Sequence, residues 1–92
     1  MDKLSDQQRD DALERLSDWR AQGEAITRTV QLRDFARAID FVNAVAEMAD
    51  DANHHPDIDI RYNKVTITLT THSAGGVTQR DVDLAEAIGH LV

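Results

Sequence analysis

No cysteine occurs in the 92 residues, which excludes a disulfide framework and any thiolate nucleophile or thiolate metal ligand. A small chain without such staples is expected in a reducing compartment, so the reading for localisation is cytoplasmic. No apolar run approaches the roughly 20 residues that span a bilayer, and Met1-Asp-Lys-Leu-Ser-Asp-Gln-Gln lacks the apolar stretch of a signal peptide. A soluble protein without a membrane partner is the expectation. Basic residues are also in short supply: ten Lys and Arg stand against 17 Asp and Glu, a formal charge of −7. They are dispersed, so a phosphate backbone meets net repulsion, and direct nucleic-acid binding is excluded as a principal role. The same acidic field does not by itself select a small ligand.

The chain reads as one domain over residues 1–92. Domains of this size bury only roughly 60 to 70% of their unfolded surface, so association with a second copy is expected. Ser5 with Gln8 forms a capping box at a helix start, followed by Leu13 and Leu16 on one buried face. Trp19 to Gln22 and Ala25 to Leu32 read as a hairpin turning at Gly23-Glu24, with Ile26, Val30 and Leu32 on one side and Arg28 intruding on it. Trp19 is read as a core anchor. From Asp34 to Ala52 the period becomes helical, with Phe35, Ile39, Val42, Ala46 and Ala49 expected to face the core.

The single proline, Pro56, cannot continue that helix, and Asn53 is its expected stop. Ile58 to Tyr62 and Val65 to Thr71 alternate as strands, with Asn63-Lys64 as the expected tight turn and Tyr62 expected to pack beside the hairpin. A last helix starts at Thr78 and is expected to bury Leu84, Ala85, Ile88 and Leu91. Helix, then strand-strand-helix twice, predicts an α+β two-layer fold: a four-stranded antiparallel sheet with helices on one face.

Proton-carrying side chains gather at the ends of these elements: Asp50, His54-His55-Pro56, Tyr62, His72 and Asp81. Adjacent residues in extended chain point to opposite sides, so His54 and His55 are poorly spaced to share one ion, and no metal is expected. Asp81 lies three residues after Thr78 and fits a second capping box, a structural role beside any functional one. His90 has no motif partner and is read as surface.

An acidic residue, three residues, His-His-Pro, five residues, an aromatic, nine residues, His, eight residues and Asp make up the whole spacing. It resembles the signature of the pterin-4a-carbinolamine dehydratases, and the resemblance covers the chain from Trp19 onward. The resemblance implies the same sheet-and-helix order and a lyase that dehydrates 4a-hydroxytetrahydropterin to quinonoid dihydropterin without a cofactor. It makes His54, His55, His72 and Asp81 the catalytic candidates, and Asn53, His54, His55, Thr70, Thr71, His72, Ser73 and Arg80 the pterin-binding ones. Asp50 has a possible supporting part, at a position often held by Glu. It further implies a homodimer or homotetramer and a pterin-dependent aromatic amino acid hydroxylase as a functional partner. Animal relatives also serve as dimerisation cofactors for a homeodomain transcription factor, which makes a protein-interaction module the alternative reading.

Overall fold

The computed structural model describes residues 2–92; Met1, the first residue of the expected domain, lies outside the described residues. Its elements follow the expected order: α1 (Asp6–Arg15), β1 (Arg20–Gln22), β2 (Ala25–Gln31), α2 (Phe35–Ala52), β3 (Asp57–Arg61), β4 (Lys64–Leu69), a 3-10 turn (His72–Ala74) and α3 (Gln79–Gly89). The four strands form one antiparallel sheet in the order β1-β2-β4-β3. β2 and β4 are therefore central, and β1 and β3 are its edges. Among the described residues no helix is long and apolar enough to cross a membrane.

Alternation sets the two faces of the sheet. Val65, Ile67 and Leu69 of β4 are fully buried and join Ile26 and Val30 of β2 in a core completed by Trp19, Ala38, Phe41, Val45, Leu84, Ala85 and Ile88. On the opposite face Thr27 and Thr68 hydroxyls meet at 3.1 Å and Thr29 and Thr66 at 2.8 Å, each across a register pair of β2 and β4. The intruding Arg28 shares the inward side. Its guanidinium is largely covered and lies 3.6 Å from the Asp18 carboxylate, so a countercharge accompanies it.

Both expected capping boxes form, Ser5 with Gln8 and Thr78 with Asp81. Asp34 caps α2 by accepting the Arg37 N–H, and that bond, with the nearby arginines, lowers its carboxyl below the ordinary value. Its capping contribution is thus complete above the usual carboxylate range and is lost as pH falls through the lowered value.

Three expectations are corrected. The buried stripe of α2 is Ala38, Phe41, Val45 and Ala49, while Phe35 is 49% exposed, Ala46 is exposed, and Ile39 and Val42 are half-buried. The apolar arc of this helix spans about half its circumference at 100° per residue. The core occupies one side of the arc; of the expected stripe Ala49 lies within it, and Phe35, Ile39, Val42 and Ala46 lie along the other side. Leu91 follows the end of α3 and is 37% exposed, so the last turn does not extend the stripe.

The β3-β4 hairpin turns on Tyr62-Asn63, because Lys64 already pairs with Arg61. Tyr62, not Asn63, takes the positive φ of 54°, and its side chain is 70% exposed rather than packed. Asn63 instead anchors the end of β2, exchanging its backbone carbonyl and side-chain amide with Leu32 at 2.8 and 2.9 Å. A tyrosine at positive φ is strained, whereas Asn enters this region readily. Tyr62→Asn is expected to stabilise the fold by about 0.5 to 1 kcal/mol, a rise of several degrees in Tm measured by thermal denaturation; an unchanged or lower Tm refutes the assignment of strain.

Candidate active site

The end of α2 creates the first half of the site. Asn53 takes the left-handed conformation, φ 50°, and its N–H bonds back to the Asp50 carbonyl, while the His54 N–H bonds to the Ala49 carbonyl. Orphan carbonyls of the last turn are satisfied in this way, and the chain is turned sharply into His54-His55-Pro56. Arg80, from the first turn of α3, reaches across: its Nη2 donates to the Asn53 carbonyl at 2.7 Å and the Ala52 carbonyl at 3.3 Å. A cation therefore sits on the negative end of α2.

The two adjacent histidines have opposite environments. His54 is 9% exposed, and its Nε2 lies 2.5 Å from Oδ1 of Asp81, which has no exposed surface. His55 is largely exposed, and its Nε2 lies 2.9 Å from Oδ1 of Asp50. Asp50 thus serves His55 and not His54, one helical turn away. Among the described residues no group of three or more His, Asp or Glu side chains is arranged to hold a metal ion.

Asp81 is enclosed by donors. Its Oδ2 accepts the Thr71 hydroxyl at 2.8 Å and the Thr78 N–H at 2.8 Å, and the Thr71 and Thr78 hydroxyls are themselves 2.9 Å apart. Thr71 is held at the entry to a tight turn, where its N–H bonds to the Gly76 carbonyl at 3.0 Å and Gly75 supplies the positive φ of 77°. Thr78 was legible only as a helix cap. Its hydroxyl and amide both belong to this buried cluster, and the capping box with Asp81 was the signal that pointed there.

The remaining candidates are more loosely gathered. His72 and Ser73 are exposed on the 3-10 turn, and no hydrogen bond joins His72 to His54 or His55 among the described residues. Thr70 donates its hydroxyl to the Glu24 carbonyl at 2.6 Å, which ties the strand end to the β1-β2 turn. His90 is exposed at the end of α3, as expected. His54 and Arg80 also wall an open groove of about 480 Å³ between α2 and α3, floored by Met48, Leu84 and Ala87. That volume lies within the range of small-molecule sites.

The arrangement offers one buried imidazole held by a carboxylate and one exposed imidazole held by another, on one loop. A model of the pterin 4 alpha carbinolamine dehydratase family matches residues 2–91. The chain belongs to that family. A pterin-4-alpha-carbinolamine dehydratase of Nocardia farcinica is 57% identical over 88 residues, covering 96% of this chain and 93% of that protein. One from Cyanothece is 53% identical over 88 residues, with 96% and 91% covered. A crystal structure of a transcriptional coactivator/pterin dehydratase from Brucella melitensis superposes with a TM-score of 0.94 at 35% identity, covering 98% of both chains.

Proposed function

We propose that this chain dehydrates 4a-hydroxytetrahydropterin to quinonoid dihydropterin by histidine general acid-base catalysis. The observation that carries the reading is the pairing of each motif histidine with its own carboxylate, His54 with Asp81 and His55 with Asp50. Hydroxide leaves poorly. An acid must protonate the 4a oxygen as the C4a–O bond breaks with its electron pair, and a base must take a proton from a ring nitrogen as the C=N bond forms. Imidazole can do either near neutral pH. His54 and His55 are the proton-transfer pair, and His72 binds and polarises the ring.

The pterin lies against Asn53, His54 and His55 on one side and the Thr70 to Ser73 turn on the other, with Arg80 at the margin. Thr70 and Thr71 have committed their hydroxyl protons within the protein, so each can offer a ligand only acceptor capacity. The role fits a cofactor-recycling step beside an aromatic amino acid hydroxylase in the cytoplasm. The test is a stopped-flow assay with enzymatically generated 4a-carbinolamine. Acceleration over the spontaneous rate is expected, and none refutes the proposal.

Association completes the reading. The half-exposed side of α2, with Phe35, Ile39, Val42 and Ala46, and the edge strands β1 and β3 present surfaces that a small domain gains by covering. A homodimer, or a tetramer of two dimers, is expected by sedimentation equilibrium at micromolar concentration. A monomer alone there contradicts it. The coactivator named for the Brucella structure gives a second reading, in which the same helix face docks a protein partner. Histidine substitutions would leave such docking intact, whereas a charge at Phe35 would abolish it.

A further inference from the structure

Thr71 is buried, 6% exposed, and its hydroxyl is spent inside the protein, on a carboxylate that touches a motif histidine. The polarity of the cluster follows from its donors. Thr71 gives its one hydroxyl proton to Asp81 Oδ2, so the 2.9 Å contact with Thr78 must use the Thr78 proton. Thr78 Oγ1 accepts in turn from the Arg80 N–H at 3.3 Å. Oδ2 thus receives two donors, the Thr71 hydroxyl and the Thr78 N–H, and only Oδ1 is turned to the imidazole.

We propose that Thr71 is a positioning residue for His54: its hydroxyl fixes the rotation of the Asp81 carboxylate, which holds His54 as the Nε2–H tautomer and leaves Nδ1 as the nitrogen that exchanges a proton with the pterin. The inference rests on His54 as a proton-transfer group, but the positioning itself is a property of the resting protein. Thr78 N–H alone cannot do this, since one bond from a helix start leaves the carboxylate free to pivot about it. The second donor on the same oxygen removes that freedom. The Thr71 hydroxyl proton therefore acts through Asp81 and is not offered to substrate, and its loss acts on turnover more than on binding.

The experiment uses histidine labelled with nitrogen-15 in the full chain, with long-range proton-nitrogen spectra recorded without ligand and dehydration kinetics measured in parallel on wild type, Thr71→Ser and Thr71→Val. Wild type and Thr71→Ser are expected to show His54 as the Nε2–H tautomer, with a slowly exchanging N–H proton far downfield. Thr71→Val is expected to lose that proton, to mix the two tautomers, and to lower kcat about 10- to 100-fold while KM moves less than about twofold. A wild-type spectrum showing the Nδ1–H tautomer overturns the proposal whether or not Thr71→Val folds. A Thr71→Val protein with the wild-type tautomer, or with raised KM and unchanged kcat, overturns it too, the latter by making substrate binding, and not the setting of His54, the role of the hydroxyl. Wild type that shows the expected tautomer but no dehydration refutes the catalytic role given to Nδ1 and the proposed function together, while the positioning stands on the spectra.

Discussion

The double substitution His54→Ala, His55→Ala is expected to remove roughly 10²- to 10⁴-fold of the dehydration rate, the range associated with general acid-base assistance. The single substitutions should each cost at least about tenfold and should combine non-additively, because acid and base act in the same bond-breaking event. His54→Ala also empties a buried position beside Asp81, so its effect on the fold must be read separately by thermal denaturation. His55 is largely exposed and, among the described residues, its side chain is tied only to the exposed Asp50. His55→Ala is therefore the cleaner chemical test, with activity lost and Tm nearly unchanged, and Asp50→Ala should cost less than either histidine. Equal rates for wild type and the double mutant would exclude histidine catalysis here.

Asp81 carries the largest expected effect on stability. Removing its carboxylate leaves an imidazole, the Thr71 hydroxyl and the Thr78 amide facing one another at a position that itself has no exposed surface. Leaving a buried donor without a partner costs about 1 to 3 kcal/mol, so orphaning these three donors is expected to cost about 3 kcal/mol or more. Asp81→Ala is thus expected to lower Tm by more than about 12 °C in a domain of this length, at fixed protein concentration since association is linked to folding. Asp81→Asn separates the two roles. The amide oxygen can still accept from Thr71 and Thr78, but the amide nitrogen then faces His54 Nε2 and needs an acceptor there. The imidazole must adopt the opposite tautomer, so most of the stability should return while turnover does not. Recovery of full activity in Asp81→Asn would show that the tautomer is irrelevant.

What could be read beforehand was what depends on near neighbours in sequence. The capping boxes at Ser5 and Thr78, the left-handed stop at Asn53 and the alternation of Val65, Ile67 and Leu69 are local, and each fixes its element without knowledge of the rest. The motif was legible for the same reason, as a set of spacings. The division of labour between His54 and His55 was not. It depends on a contact 27 residues away in sequence, made only when the start of α3 reaches the end of α2. The orientation of α2 also escaped, since a helix rich in Ala and Val offers more apolar arc than one core can cover and packing alone decides which part is used. Tyr62 was misplaced by one residue of register, because the pairing of Arg61 with Lys64 set the turn where propensity favoured Asn63.

The Arg80 guanidinium on the Ala52 and Asn53 carbonyls has a kinetic consequence. A loop bearing reactive side chains ordinarily loses conformational entropy when it closes on a ligand, and that loss is subtracted from binding or from the rate. Here the loop is pinned at its root from a second helix before any ligand arrives, so the ordering has been completed during folding. Association should then be limited by encounter rather than by a slow rearrangement, and the backbone amides of residues 53 to 55 should exchange with solvent no faster in the free protein than in the pterin-bound one.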